Sequence, residues 1–244
     1  MGRKWANIKD KKASMDKQRS QVYTKLLKEI TSVVKKSGGD PEANFMLRMV
    51  LQKCRTCNVP KDNIDRAIKK GLSNEGDDYN DITYEGYGPN GVAIFIEAST
   101  NNVARTIGNL RPFFKKYGGD IGKDGCLQFI FERKAVFELK QNDINEDDFT
   151  LAMIDAGAED IEFESGDITV TASMEKFGSI QKKFEELKIS VDEAGLERIP
   201  LTFKKVNQEE FTLVMKLISA LEDDDDVVKV YHNIEYDPSL QLNI

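Results

Sequence analysis

The apolar residues of this chain change period once, near residue 78. From Met15 to Lys36 the positions Val22, Leu26, Ile30 and Val33/Val34 recur every three or four residues, the spacing that lines one face of a helix. Gly71 to Asp81, with its Ser, Asn, Gly and Asp, reads as a linker. Beyond it the period falls to two, as in Ile82-Thr83-Tyr84-Glu85 and Val92 to Glu97, the mark of half-buried strands. A helical first third followed by mixed strands and helices predicts an α+β fold in several domains.

The charge changes at the same place. Residues 1–75 hold 18 Lys+Arg against 8 Asp+Glu, whereas the rest holds 17 against 34, so the net −7 hides a basic head on an acidic body. A polyanion is attracted to the first part and repelled by the second. No apolar run approaches the ~18 residues of a spanning helix, and Phe211 to Leu221 is broken by Lys216. Met1-Gly2-Arg3-Lys4-Trp5 opens no secretory signal. Three cysteines fit a reducing compartment without a disulfide framework. The expected location is the cytoplasm, with no membrane partner; the oligomeric state is left open.

Three helices are predicted in the basic part. The first ends at Ser37-Gly38-Gly39. Asp40 as N-cap and Pro41 at the first helical position start a second, buried through Leu47, Val50, Leu51 and Cys54. Asn58-Val59-Pro60 starts a third, with Ile64, Ala67 and Ile68 inward and Gly71 as its stop. After the linker come strands on either side of a turn at Gly86–Gly91, then a helix from Asn101 or Asn102 to about Tyr117. A strand is expected from Cys126 to Phe131. Residues 135–206 read as a βαββαβ series, with strands at Ala135–Leu139, Ile161–Glu164, Ile168–Ala172 and near Leu201–Val206, and helices at Glu146–Ala156 and Lys176–Leu187. That order suits a ferredoxin-like split βαβ sandwich. A last helix, Glu209–Leu221, and strand, Val227–Asn233, are too little for a domain and are expected to complete the sheet begun at residue 82. The expected domains are therefore 1–78 (helical), 79–134 with 207–244 (an α/β sandwich), and 135–206 inserted in it.

The opening segment clusters Arg3, Lys4, Lys9, Lys11, Lys12, Lys17 and Arg19 around Trp5, the single tryptophan. This composition suits phosphate contact, since mere solvation requires no sign bias. Trp5 either stacks on a base or anchors the segment to the helices. Lys25 and Lys28 lie off the apolar stripe of the first helix. Lys61, Arg66, Lys69 and Lys70 form a second basic group on the third helix, where cations near a C-terminus are also stabilising for purely local reasons. These residues are the candidate nucleic-acid contacts, with DNA, rRNA or tRNA as the polyanion.

Other motifs point away from chemistry. Cys54-Arg55-Thr56-Cys57 lacks the further ligands of a zinc site and reads as core. Asp223 to Asp226 reads as a solvated, self-repelling loop rather than a cation site. Gly86–Gly91 lacks the Lys-Ser/Thr of a phosphate loop. Asn101-Asn102 is explained by capping, although a helix start can also receive an anion. With one histidine, His232, no nucleophilic triad can be assembled. No catalytic residue, metal or cofactor is expected.

Several strings together resemble the YebC/PmpR family in its MGRKW-type branch: KWANIK, YTKLLKEI, GGDP, NVPKDNIDRAIKKG, YEGYGPNGVAIFIE, Asn-Asn-Val-Ala-Arg-Thr and GGDIG. The resemblance covers most of the chain. It implies a helical N-terminal domain and two α/β domains, the third inserted in the second. It implies a cytoplasmic DNA-binding transcriptional regulator that is not an enzyme. A mitochondrial relative that activates translation of cytochrome c oxidase implies the alternative, a ribosome-associated factor binding RNA. The chain departs from the usual pattern at Gly2-Arg3, where His and Ser are common, and at Arg133-Lys134-Ala135, where Lys-Gly is common.

Overall fold

The computed structural model describes residues 19–73, 79–142 and 144–240, with Arg19, Ser20 and Gln21 described by backbone alone. Its secondary structure is α+β: three helices, then two four-stranded antiparallel sheets with helices packed on them. The chain forms two compact units, one reaching to Phe131 and resuming at Pro200, the other Glu132–Ile199. The domain cut expected near residue 78 falls outside the described residues.

In the first unit, α1 (Arg19–Ser37), α2 (Phe45–Thr56) and α3 (Lys61–Leu72) enclose Leu26, Ile30, Val34, Leu47, Val50, Cys54, Val59 and Ala67. The stripe expected on α1 is the one that is buried. Gly38, at φ +87°, ends α1 in the left-handed conformation and donates its N–H to the Val34 carbonyl at 2.8 Å. The second helix does not begin at Asp40. That carboxylate instead accepts from the Glu42 N–H at 3.0 Å in a local turn, and Asn44 is the cap, its side chain accepting from Leu47 N at 3.1 Å. Gly71 does not stop α3 either. It is buried inside the helix, where a Cβ would stand 2.8 Å from Val34 and 2.9 Å from the Thr31 carbonyl. Its role is close approach of α1 and α3.

The first sheet runs β3-β1-β2-β8, from β1 (Asn80–Tyr87), β2 (Ala93–Thr100), β3 (Asp120–Ile121) and β8 (Val227–His232). As expected from the tail, β8 pairs antiparallel with β2, Phe95 opposite Tyr231. Two helices cover one face: α4 (Val103–Lys116) through Leu110 and Phe114, and α7 (Gln208–Glu222) through Phe211, Val214, Leu217, Ile218 and Leu221. Leu127 and Phe131 cover Ala93, Phe95 and Tyr231 on the other face. Burial on both faces is why β2 reads as a nearly continuous apolar run. Residues 126–130 are a succession of turns, not the expected strand. The buried Glu85 carboxylate accepts the N–H groups of Gly125 (3.0 Å) and Leu127, holding the loop in a curled path.

The second unit holds β4 (Phe131–Lys140), whose first residue belongs to the first unit, with β5 (Ala158–Glu164), β6 (Asp167–Ser173) and β7 (Glu193–Pro200). Their order, β5-β6-β4-β7, is that of a split βαβ sandwich. Helices α5 (Glu146–Ala156) and α6 (Phe177–Leu187) bring Phe149 and Phe184 together at 6.1 Å, with Phe184 also 5.4 Å from Phe137. The final strand lies at 193–200 rather than near Leu201–Val206. It buries Ala194, Gly195 and Ile199, small or isolated apolar residues that leave little periodic signal. Residues 201–206 return to the first unit, where Lys204 bridges Ile234.

Candidate nucleic-acid interface

The expected contacts fall into three groups. Arg3, Lys4, Trp5, Lys9, Lys11, Lys12 and Lys17 lie outside the described residues, as does the side chain of Arg19. Lys61, Arg66, Lys69 and Lys70 are all exposed on α3. Lys25 and Lys28 are turned instead onto the chain's own acidic turn.

The α3 group is built by local sequence. Ala67 and Gly71 press one face of the helix against α1, which leaves the basic residues on the outer side. Arg66 is braced by its own helix: Nε donates to the Asp62 carbonyl at 3.1 Å and Nη2 to Asn63 Oδ1 at 2.8 Å. Lys69 and Lys70 occupy the last turn, at the negative end of the helix dipole. Lys70 Nζ stands 5.3 Å from the centre of the Tyr79 ring. Among the described residues, none of these four side chains takes part in an ion pair. Asp62 and Asp65 are exposed on the same outer side, so the four cations outnumber the carboxylates there by two, and the surplus can bind phosphate oxygens.

Lys25 and Lys28 have different surroundings. Lys25 Nζ donates to the Glu222 carbonyl at the end of α7. Lys28 Nζ donates to the Asp225 carbonyl at 2.7 Å and to Asp226 Oδ1 at 3.2 Å, and it lies 5.2 Å from the Tyr79 ring centre. Burial pushes the Lys25 ammonium below its ordinary pKa, against the attraction of Glu222, Asp223, Asp224 and Asp225. Lys36, the penultimate residue of α1, pairs with Asp81 at 2.6 Å.

The acidic turn is therefore not the solvated loop its composition suggests. Asp226 is buried, and its Oδ2 accepts from Arg105 Nη2 (2.7 Å), Thr106 Oγ1 (2.9 Å) and Thr100 Oγ1 (3.0 Å). Burial opposes ionisation, but the hydrogen bonds from Arg105, Thr106, Lys28 and Thr100 outweigh it and hold the carboxyl below its ordinary pKa. Asp224 accepts from the Asp226 N–H at 2.9 Å and from Asn109 Nδ2 at 2.9 Å. Asn102 caps α4 as expected, accepting from Arg105 N at 3.0 Å. The anion held beside this helix start is thus the chain's own. Arg105, Thr100 and Thr106 were missed in the sequence because they lie more than a hundred residues from Asp226, and no spacing rule spans that distance.

Cys54 is buried, and burial pushes its thiol up to about 11; Cys57 is half-buried where α2 ends. Among the described residues no group of His, Cys, Asp and Glu is placed to hold a metal ion. None of the described helices is long and apolar enough to cross a membrane.

Comparison with known proteins agrees along the whole length. Residues 3–74 match the model described as the TACO1/YebC protein N-terminal domain, and residues 79–234 match the TACO1/YebC second and third domain. A "Probable transcriptional regulatory protein" of Amoebophilus asiaticus is 45% identical over 95% of this chain and 96% of its own. One of the same description from Persephonella marina is 42% identical over 99% and 98%. The crystal structure of a conserved hypothetical protein from Aquifex aeolicus superposes with a TM-score of 0.79 at 34% identity, covering 94% of this chain and 96% of that one. With both family models matched in sequence order and the relatives aligned end to end, the chain belongs to the TACO1/YebC family.

Proposed function

We propose that this protein is a non-enzymatic regulator of gene expression in the cytoplasm that binds DNA through its basic helical region. The observation that carries this reading is the exposed basic face of α3, where Lys61, Arg66, Lys69 and Lys70 remain available while other lysines of the same bundle are engaged internally. The opening residues Arg3 to Arg19 extend the same charge, with Trp5 as a stacking group. The names of the relatives point to transcription, and nothing in them favours the ribosome. A lysine-rich face contacts phosphate rather than base edges, so affinity exceeds sequence selectivity. The acidic remainder limits nonspecific wrapping.

Binding of the full chain to duplex DNA across a salt series tests this. With about six phosphates neutralised, log affinity falls against log salt with a slope of roughly −5. Changing Lys61, Arg66, Lys69 and Lys70 to Ala reduces that slope by about 3 to 4. A flat salt response, or an unchanged slope in the fourfold variant, refutes the reading. Tighter binding to structured RNA or ribosomes than to DNA shifts the target to translation.

A further inference from the structure

Within the first unit the helical bundle and the sheet each have their own apolar cluster. The described contacts from α1 to the acidic turn and Asp81 are polar: Lys25 on the Glu222 carbonyl, Lys28 on Asp225 and Asp226, Lys36 on Asp81. Lys28 and Lys70 flank Tyr79 between them. A junction of this kind weakens in salt and competes with any other source of anionic oxygens.

The acidic turn presents such oxygens in the way a phosphate backbone does. It begins at the C-terminus of α7, where the exposed carbonyls carry the negative end of the helix dipole. The carboxylates of Glu222 to Asp226 follow without interruption. The turn is fixed from the sheet side, since Arg105, Thr100 and Thr106 hold Asp226 independently of Lys28. Releasing the two lysines therefore leaves the turn supported. Burial disfavours the charge on Lys25, while Glu222, Asp223, Asp224 and Asp225 favour it, so the carboxylates of the turn support this contact.

We propose that the turn Glu222–Asp226 is an autoinhibitory latch that occupies Lys25 and Lys28, and that a nucleic-acid backbone bound along the basic helices displaces it. The inference rests on the function proposed above. Opening the latch adds two phosphate contacts, so affinity is set by competition between the chain's own polyanion and the incoming one.

The test is a charge-matched mutational cycle in the full chain, with folding checked by circular dichroism. Asp223→Asn/Asp224→Asn/Asp225→Asn tightens binding to a fixed DNA duplex by about fivefold at constant salt, the scale of two partly exposed ion contacts. The control Asp155→Asn/Asp160→Asn/Glu164→Gln removes the same charge from exposed sites of the second unit and gives a clearly smaller gain. Adding Lys25→Ala/Lys28→Ala to the first variant abolishes its gain. No gain, an equal gain in the control, or a gain that survives loss of the two lysines overturns the latch. Amine-reactive labelling gives a readout without nucleic acid: Lys25 and Lys28 are protected in the unmodified protein and become more reactive in the Asp223–Asp225 variant, which keeps the carbonyl and Asp226 acceptors but removes the carboxylates that attract Lys25. Unchanged protection overturns the latch even if the unmodified protein shows no DNA binding, an outcome that separately refutes the proposed function.

Discussion

Lys28 Nζ lies 3.2 Å from Asp226 Oδ1, joining two residues 198 positions apart in the chain. The carboxylate is the common acceptor of β2, α4 and α1, through Thr100, Arg105 and Thr106, and Lys28. Only 5% of its side chain is exposed, against 17% for Lys28 and 48% for Arg105, so Asp226 carries most of the desolvation and removing it strands the most donors. Asp226→Ala is expected to cost about 3 kcal/mol, the range for breaking a buried ion pair from one side. Lys28→Ala leaves three donors in place and costs about 1 kcal/mol. Urea unfolding of both variants measures the difference. Equal effects contradict the central role of Asp226.

The same carboxyl sets a pH dependence. Its folded pKa lies below the ordinary 3.8, so the unfolded chain takes up the proton first as pH falls. The contribution of Asp226 is therefore fully present above about pH 5 and is lost as pH falls through the folded value. Asp226→Asn lacks this dependence. The stability gap between the unmodified protein and Asp226→Asn is expected to be constant from pH 5 to 7 and to narrow below 3.8. A gap that widens in acid contradicts the sign.

Two helical glycines predict opposite responses to alanine. At Gly71 the new methyl meets Val34 at 2.8 Å and the Thr31 carbonyl at 2.9 Å, both on α1. Helix propensity favours alanine by roughly 1 kcal/mol, but overpacking a helix contact costs about 1–3 kcal/mol, and the neighbour here includes backbone. Gly71→Ala is expected to destabilise. Gly108, in α4, has nothing within 4 Å of its would-be Cβ, so Gly108→Ala is expected to stabilise by about 0.5–1 kcal/mol. Thermal unfolding of the two variants, shifting in opposite directions, checks the assignment.

These glycines show what was and was not legible in the sequence. The α1 stripe, the caps at Gly38 and Asn102, the change of period and the return of the tail to the first sheet are local or strongly periodic signals. The first three were readable from neighbouring residues, and the return of the tail followed from its being too short to fold alone. Gly71 looked like a stop because a glycine near a helix end usually is one, and only the distance to Val34 reveals packing. The turns at 126–130 read as a strand because Cys126, Leu127 and Ile130 do face a core, although Phe129 is exposed, and the curl is imposed by Glu85, some forty residues away. For the candidate site, α3 was legible as a basic helix face. The diversion of Lys25 and Lys28 was not, because an acidic run carries no mark of which lysines it will meet.

Cys54 offers a check on the inert reading of the Cys-x-x-Cys pair. Burial raises its thiol to about 11 from 9.0, so at pH 8 it is protonated and shielded. A thiol reagent at that pH is expected to modify Cys54 only on global unfolding. The linkage sign is opposite to that of Asp226. Between pH 9 and 11 the unfolded chain loses the proton while the folded one keeps it, so stability falls as pH rises through that window. Rapid native-state labelling of Cys54 contradicts both statements.

Lys69 and Lys70 separate local helix energetics from nucleic-acid binding. As cations in the last turn of α3 they stabilise the helix by about 0.3–1 kcal/mol each, and Lys70 adds a contact with Tyr79 on the order of 0.5–1 kcal/mol. A purely structural role predicts that Lys69→Ala/Lys70→Ala loses about 1–2 kcal/mol of stability and, in conditions where it remains folded, binds DNA with an unchanged salt slope. Two phosphate contacts predict the same modest loss of stability together with a slope shallower by about 2. The two quantities are measured independently, by denaturation and by a salt titration. An α3 that only packs its bundle moves the first alone, whereas an α3 that faces nucleic acid moves both.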